Sequence, residues 1–542
     1  MQFLRRNTAP PPTLPIHNGP SRVTNYLDWM TTATSVIWAE QDEWKKHYKM
    51  VKYSASEHNK PLIEVLKERN GNDFDEIPTV MNQHPSNRGE QETQRVEAFC
   101  QGAEPILLGL ELANVEEPRA WVSDRNYWLV KDAATDRYGN VLGRIDLYNV
   151  LRKERFRESA SGEMIGPIRQ LFVSNPDGAS VLAILKTANE FQVAALHDLL
   201  ASYITTDPSP SISLKVSDFW NTSYVISFTL PFYAIGRRRK QDKRTLHDDK
   251  LRARYDLDSL NLEEVGPILT DTEGSPLQER LVLHEGLYSF SATGATEEHW
   301  TAYCFDDDFF ENESRLLEDE EEIESSEGGI DPIIVEAEMK DTATQWRPRQ
   351  YSLVALATQL EKIHGHHECA HDVFKRSLES YTRNSRNGPN RHHNHSNEQD
   401  WKRFPDLLSK VIFYTMENVK EVDSFLKNDV QLSQASVPQG VLWQSLRNDI
   451  KALKALRAIT ENVKQLKRLG DKMEETKKSF KELRRERKLD RAEEQQSREE
   501  RAKEFTIAVI VSLPLYYLGS QTQGLYTTGL RYPDFNCASI QW

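Results

Sequence analysis

Phe505-Thr-Ile-Ala-Val-Ile-Val-Ser-Leu-Pro-Leu-Tyr-Tyr-Leu518 carries no charge and follows directly on a long charged run. In that run Leu446, Ile450, Leu453, Leu456, Ile459, Val463, Leu466, Leu469, Met473, Phe480 and Leu483 keep a mostly three-and-four spacing, the apolar seam of a helix that packs on other helices. The pattern continues, more charged, to Lys503. At 1.5 Å per residue, Leu446 to Lys503 would reach roughly 85 Å, a stalk rather than a helix inside one compact domain. A stalk running into an uncharged segment predicts a membrane at its end.

Counted from Phe505 to Leu530, the uncharged stretch is long enough to cross about 30 Å of hydrocarbon. Its strongly apolar part is only about 14 residues, a length shared with buried core helices and interfacial segments. Pro514 is tolerated in membrane helices and costly in soluble ones, and Tyr516, Tyr517 and Tyr526 suit an interfacial belt. Between Lys451 and Lys503 there are 18 Lys/Arg against 11 Asp/Glu, a net of +7 in a chain of net charge −14, which fits a cytoplasmic flank. The expected membrane or pore segment comprises Phe505, Thr506, Ile507, Val509, Ser512, Leu513, Pro514, Tyr517 and Gly519. The expected oligomerisation seam comprises Leu446, Ile450, Leu453, Leu456, Ile459, Val463 and Leu466. The competing expectation is a soluble helix ending in a buried apolar hook.

Composition bounds the remainder. The 542 residues, 38% hydrophobic and 28% charged, have room for roughly two to four domains and exclude a polytopic membrane protein. Cys100, Cys304, Cys369 and Cys537 are scattered without a CxxC pair, which argues for a reducing compartment. The N-terminus lacks an apolar core, so no secretory signal is expected; Arg5, Arg6 and Arg22 without an acid before Asp28 give it only a faint transit-peptide character.

Along the chain, residues 1–20 read as a Pro-rich disordered arm and Tyr26 to Val51 as helix. Residues 53–93 read as loops around a short helix. A mixed α/β domain is expected to extend to residue 305. Within it Gln170 to Ser174 forms a strand, Asn175-Pro-Asp-Gly178 a turn, and Ala179 to Ala188 and Gln192 to Ile204 helices. Tyr224 to Ile235 is the clearest strand, because Ile226, Phe228, Leu230 and Phe232 alternate with Ser227, Thr229 and Pro231; Pro231 places it at an edge or a strand end. Leu281 to Phe290 and His299 to Phe305 add strands. An acidic linker over 306–340, a helical region over 341–445, the stalk over 446–503, the membrane segment over 505–530 and a tail over 531–542 complete the organisation. The fold class is therefore α+β.

Two charged segments interrupt the first domain. Arg237-Arg-Arg-Lys-Gln-Asp-Lys-Arg244 reads as a solvated connector rather than a localisation or lipid-binding signal. Asp306 to Glu327 holds twelve acids and one Arg, without the turn spacing of a calcium loop, and reads as a disordered acidic linker. His367-Glu-Cys-Ala-His371 matches HExxH, in which two imidazoles hold zinc and the glutamate activates water. Leu353, Leu356, Leu360, Ile363, His367, Ala370, Phe374, Leu378 and Tyr381 nevertheless form one stripe, which makes His367 a packing residue and leaves His367, Glu368 and His371 a weak metal candidate. Seven of the fifteen histidines lie between His364 and His395, enough to bind zinc adventitiously. No P-loop, GxGxxG turn or GxSxG elbow is present, so no enzyme activity and no required cofactor is expected. The acidic balance makes nucleic acid an unsuitable partner.

The order of α/β domain, acidic linker, helical region opening at Trp346-Arg-Pro-Arg-Gln-Tyr-Ser-Leu353, stalk and terminal apolar segment resembles the CorA-like magnesium transporter proteins abundant in filamentous fungi. Arg169-Gln-Leu-Phe-Val-Ser-Asn-Pro-Asp-Gly178 and Phe219-Trp-Asn-Thr-Ser-Tyr-Val-Ile-Ser-Phe-Thr-Leu-Pro-Phe-Tyr-Ala234 are similar to their N-terminal domain. The resemblance spans about residues 165–520. It implies a homo-pentamer with a cytosolic N-terminal domain, a pore helix at Phe505 to Leu518, and Mg²⁺ as transported ion. It departs from the family where the Gly-Met-Asn loop should follow, since Gly519-Ser-Gln-Thr-Gln-Gly524 stands there. Leu525 to Trp542 also offers no second apolar helix. The alternative is a non-transporting helical scaffold, tethered or soluble, and whether the chain is a shortened version of a longer relative is left open.

Overall fold

The computed structural model describes residues 59–71, 75–82, 89–110, 119–125, 136–137, 141–158, 164–166, 168–216, 224–237, 242–260, 281–294, 297, 299–309, 330–334, 336–337, 346–386, 397–434 and 436–523. The expected N-terminal arm and Tyr26 to Val51 helix, the acidic run from residue 310 to 329, the His392 to His395 stretch and the tail lie outside them. The chain divides into two compact units, one drawn from Met1–Leu257, Leu277–Ala370 and Val411–Gly470, the other from Asp258–Pro276, His371–Lys410 and Asp471–Trp542.

The first unit is built on a mixed sheet. Its strands are β1 (Arg119–Arg125), β2 (Asp136–Arg137), β5 (Ile168–Ser174), β6 (Ser211–Val216), β7 (Tyr224–Arg237), β10 (Arg254–Asp256), β11 (Leu281–Gly294) and β12 (Trp300–Asp306). Two-residue ribbons β3 (Arg157–Glu158) with β4 (Met164–Ile165), β8 (Thr245–Leu246) with β9 (Asp249–Lys250), and β13 (Ile330–Asp331) with β14 (Glu336–Ala337) stand apart from it. The order is β2-β1-β5-β12-β11-β7-β6, with β10 added on β11. Only β5 and β12 run parallel; the other pairs in the sheet are antiparallel.

Alternation along each strand splits the apolar side chains between two cores. Ile226, Phe228, Leu230 and Phe232 of β7, with Tyr288 and Phe290 of β11, face a cluster completed by Tyr351, Leu360, Val422, Trp443, Leu456 and Leu466. Leu171 and Val173 of β5 and Tyr303 and Phe305 of β12 face the other, formed with seven shorter helices. These are α1 (Leu62–Asn70), α2 (Glu76–Met81), α3 (Gly89–Phe99), α4 (Ala103–Leu107), α5 (Arg144–Leu151), α6 (Gly178–Thr187) and α7 (Val193–Tyr203). The first two, and the start of the third, occupy the segment expected to be mostly loop. Its sparse apolar residues, among them Leu62, Ile63, Leu66, Val80 and Met81, are buried, so tertiary burial outweighs a polar composition.

The turn after β5 is specified locally. Asn175 adopts φ 50°, and Asp177 caps α6 by accepting from the Ser180 backbone N–H at 2.9 Å while the Ser180 hydroxyl accepts from the Asp177 N–H at 2.8 Å. Gly178 is required by a close approach, since a Cβ there would lie 2.3 Å from the Phe99 carbonyl oxygen.

Pro231 lies within β7, beyond the end of β6, whose last register pair is Ser211 with Thr229, so of the two expected placements the edge position is observed. There the helices supply what a strand does not. Asn418 Nδ2 donates to the Pro231 carbonyl at 2.8 Å, and the Tyr233 N–H donates to His367 Nε2 at 3.2 Å.

Three long helices follow: α8 (Pro348–Arg386), α9 (Asn397–Asn428) and α10 (Ile450–Gln523). Leu446, Leu456, Ile459, Val463 and Leu466 are buried in the sheet-facing core of their own chain, Leu453 is half-buried and Ile450 is 83% exposed. Most of the residues expected to form an oligomer seam are therefore buried within their own chain, since 3/4 spacing marks a buried face without saying what buries it. In the second unit Phe404 stacks on Phe480 at 3.9 Å between ring centroids, with Phe374 and Tyr381 edge-on to this pair.

The helix α10 has 74 residues, roughly 110 Å at 1.5 Å per residue. No position from Lys481 to Leu513 is buried. Among the described residues no helix is long and apolar enough to cross a membrane: within α10 the apolar stretch gives way to Gly519-Ser-Gln-Thr-Gln523, and residues 524–530 of the expected segment lie outside the described set.

Candidate functional site

The most distinctive chemistry of the first unit lies in an interruption of the sheet. One edge of β11 pairs with β7 along its whole length. The opposite edge is shared end to end by β12, against Tyr288 to Gly294, and β10, against Val282 to His284. Between them side chains and single backbone contacts replace a strand. The Glu285 N–H donates to the Ala253 carbonyl at 2.9 Å, and its carboxylate accepts from the Ala253 N–H at 2.8 Å and from the Tyr414 hydroxyl at 2.6 Å. The Leu287 N–H donates to Asp307 Oδ2 at 3.0 Å.

Asp307 is the centre of a buried polar network. Arg252 Nε donates to its Oδ2 at 2.7 Å, and Arg244 Nη2 and the Tyr203 hydroxyl donate to its Oδ1 at 2.8 and 2.5 Å. Burial pushes this carboxyl up, but Arg244 and Arg252, with the Tyr203 hydrogen bond, outweigh it and hold the group at about 2. Arg252 also donates to the carbonyls of Thr205, Leu251 and Tyr203. Arg244 forms a forked pair with Asp242, at 2.9 and 2.8 Å.

A cavity of 220 Å³ opens beside this network. Arg252, Ala253, Arg254 and Asp256 form one wall and His284 and Glu285 another, while Asp242, Lys250 and Phe309 close the rim. The Arg244 guanidinium lies 4.7 Å from the centre of the Phe309 ring. His284 is held neutral, at about 4, by burial and by Arg254, against the pull of Asp242 and Asp256. The arrangement offers fixed charge of both signs around a small, partly enclosed volume.

None of these residues was singled out in the sequence as functional. Asp306 and Asp307, read as the start of the acidic linker, are buried: Asp306 accepts an ion pair from Lys362 at 2.7 Å. Arg244, read as part of a solvated connector, is buried too. The available signal was His284-Glu285 in the middle of an otherwise apolar strand, where two ionisable residues need partners.

The HExxH residues have other duties. His367 is fully buried; its Nε2 accepts from the Tyr233 N–H and its Nδ1 lies 2.8 Å from the Thr415 hydroxyl, so both ring nitrogens are engaged. Burial, helped by His364, lowers its pKa to about 3. His371 Nε2 lies 3.2 Å from the Thr476 hydroxyl and Glu368 is exposed. Among the described residues no group of three or more His, Cys, Asp or Glu side chains is placed to hold a metal ion. Of the apolar segment, Phe505, Ile507, Ile510, Val511 and Leu513 are well exposed and Val509 is 36% exposed. Thr506 donates to the Ala502 carbonyl at 2.7 Å and Ser512 to the Val509 carbonyl at 3.2 Å. Pro514, Tyr517 and Gly519 lie within the same helix.

The sequence matches no protein-family model and no curated protein. Among solved structures, the full-length CmaX protein is similar at 8% identity, over 75% of this chain and 87% of that one, with a TM-score of 0.32. The ZntB cytoplasmic domain from Vibrio parahaemolyticus RIMD 2210633 is similar at 9% identity, over 59% of this chain and 90% of that one, with a TM-score of 0.26.

Proposed function

We propose that this chain is a CorA-like protein that attaches to a membrane through the end of α10, with its sheet domain on the cytosolic side, and acts there as a scaffold. One observation carries the reading. Phe505, Ile507, Ala508, Val509, Ile510, Val511 and Leu513 are exposed, and at about 100° per residue they leave no gap wider than about 60° around the helix. A helix apolar all round has no single face to dock; it needs an apolar surrounding. From Phe505 to Leu518 it extends roughly 20 Å, short of the about 30 Å of a hydrocarbon core. Entry into part of the bilayer suits that length better than crossing it.

Transport of a divalent cation such as Mg²⁺ is the second reading, and one observation favours it. The exposed hydroxyls of Thr506 and Ser512 give their protons to backbone carbonyls, so each oxygen keeps lone pairs for the water shell of a hydrated ion if several copies, five by the resemblance, gathered in a ring. Carbonate-resistant fractionation of the full chain beside one ending at Glu504 tests the attachment: the full chain should stay with membranes and the shorter one should not. Both forms in the soluble fraction would end the membrane reading. Mg²⁺ flux into liposomes above that of empty vesicles would replace the scaffold with a transporter.

A further inference from the structure

We propose that the charged length of α10 between Glu475 and Glu504 is an assembly surface for further copies of this chain, the acidic face of one α10 lying against the basic face of the next. The inference rests on charge and helix geometry and not on the membrane reading. At about 100° per residue, one arc about 80° wide carries seven acids, with Glu482, Glu486 and Asp490 in the middle of its length, two serines, Ser479 and Ser497, and no base. A second arc of the same width, centred about 120° from the first, carries Lys478, Lys481, Arg485, Lys488 and Lys503 against the one acid Glu499. All of the acids in the first arc and all five bases in the second are exposed. Thr476 and Phe480, buried within the chain, lie on neither arc. A solvated helix is stabilised when opposite charges stand three or four residues apart on one face. Here the signs are kept apart, and the ion pairs that α10 makes with itself in this stretch, Lys477 with Glu474 and Arg498 with Glu494 among the described residues, use none of the side chains of the two arcs. The complement of each face therefore has to come from another molecule.

The spacing selects that molecule. Rotation about an axis parallel to α10 keeps every residue at its own height, and at 1.5 Å per residue Lys481, Arg485, Lys488 and Lys503 stand within about 3 Å of the heights of Glu482, Glu486, Asp490 and Glu504. A parallel neighbour of the same sequence thus meets opposite charges in register along roughly 40 Å. Because the two faces differ, the contact is heterologous: each copy uses its acidic face on one side and its basic face on the other. Faces about 120° apart match the corner of a six-membered ring, so the contact closes after about six copies instead of stopping at a pair. Each exposed pair is weak, and the surface draws its strength from repetition. An anionic lipid surface would engage the basic face and leave the acidic one without a role.

The test is sedimentation equilibrium of the full-length protein in a non-ionic detergent, which covers the apolar end of α10, at about 0.05 M and about 0.5 M salt. At low salt the particle should contain more than two chains, and at high salt association should weaken by about tenfold or more. Reversal of one face, as Glu482→Lys with Glu486→Lys and Asp490→Lys, or of the other, as Lys481→Glu with Arg485→Glu and Lys488→Glu, should leave each variant monomeric with an unchanged circular-dichroism melt, since all six side chains are exposed. An equimolar mixture of the two variants should assemble again, because one then carries two basic faces and the other two acidic ones. A wild type that is a monomer or a dimer at low salt would overturn the proposal and leave the basic face to anionic lipid. So would reversed variants that assemble alone as the wild type does, or a mixture that stays monomeric.

Discussion

Asp307→Asn removes the charge around which two arginines are buried, and its cost can be worked from the contacts. The carboxylate accepts four hydrogen bonds, from Arg244, Tyr203, Arg252 and the Leu287 backbone. Arg244 keeps Asp242 after the substitution, but Arg252, 2% exposed, loses its ion-pair partner. Removing one member of a buried pair costs about 3–5 kcal/mol, because the other charge stays behind without compensation. Proton linkage gives a smaller figure for the same site. A carboxyl held at about 2 when folded, against about 3.9 unfolded, contributes about 2–3 kcal/mol. Its pKa is depressed, so this stability is fully present above pH 4 and is lost as the pH falls through 4 toward 2. The difference between the figures is the stranded arginine, which acid leaves beside a neutral but still hydrogen-bonding carboxyl. Urea unfolding followed by tryptophan fluorescence measures both. Asp307→Asn should lower stability by several kcal/mol at pH 7 and flatten the acid limb, and Tyr203→Phe should cost about 1 kcal/mol. A change below 1 kcal/mol in Asp307→Asn, with an unaltered acid limb, would refute the view that this network holds the interrupted edge together.

Lys362→Met should destabilise by about 3–5 kcal/mol by stranding the Asp306 carboxylate, and adding Asp306→Leu should recover much of that loss in the same urea assay. His367→Ala deletes a buried ring and leaves the Tyr233 N–H without its acceptor, so a cost of about 2–4 kcal/mol is expected; zinc content by elemental analysis should not change. Leu456→Lys with Leu466→Lys places two ammonium groups in the sheet-facing core, and should lower the unfolding midpoint steeply rather than alter only the elution volume. An intact melting curve with a smaller particle on size-exclusion chromatography would instead support the oligomer seam.

The strands of the central sheet were legible because their alternation is strong: β5, β7, β11 and β12 all fall where the pattern of Ile, Phe, Leu and Tyr places them. Asp307 was not, for a physical reason. A run of like charges reads as solvated unless its counter-charges are known, and here they lie 55 and 63 residues away at Arg252 and Arg244. The same blindness to long-range partners explains α10. Its apolar spacing told of a buried face, and whether a sheet or a second copy covers that face is decided by topology that periodicity does not carry.

Just past the end of β6, the first outward backbone groups of β7 are closed off by other means. Pro231 has no N–H to offer, its carbonyl is taken by Asn418, and the Tyr233 N–H is taken by His367. An open strand edge is a template on which another polypeptide can add, and native sheets are kept from aggregating by devices of this kind. His367 therefore has a duty no assay of function would register: its loss would appear first as material accumulating in the insoluble fraction at high expression, while whatever the correctly folded molecules do would continue unchanged.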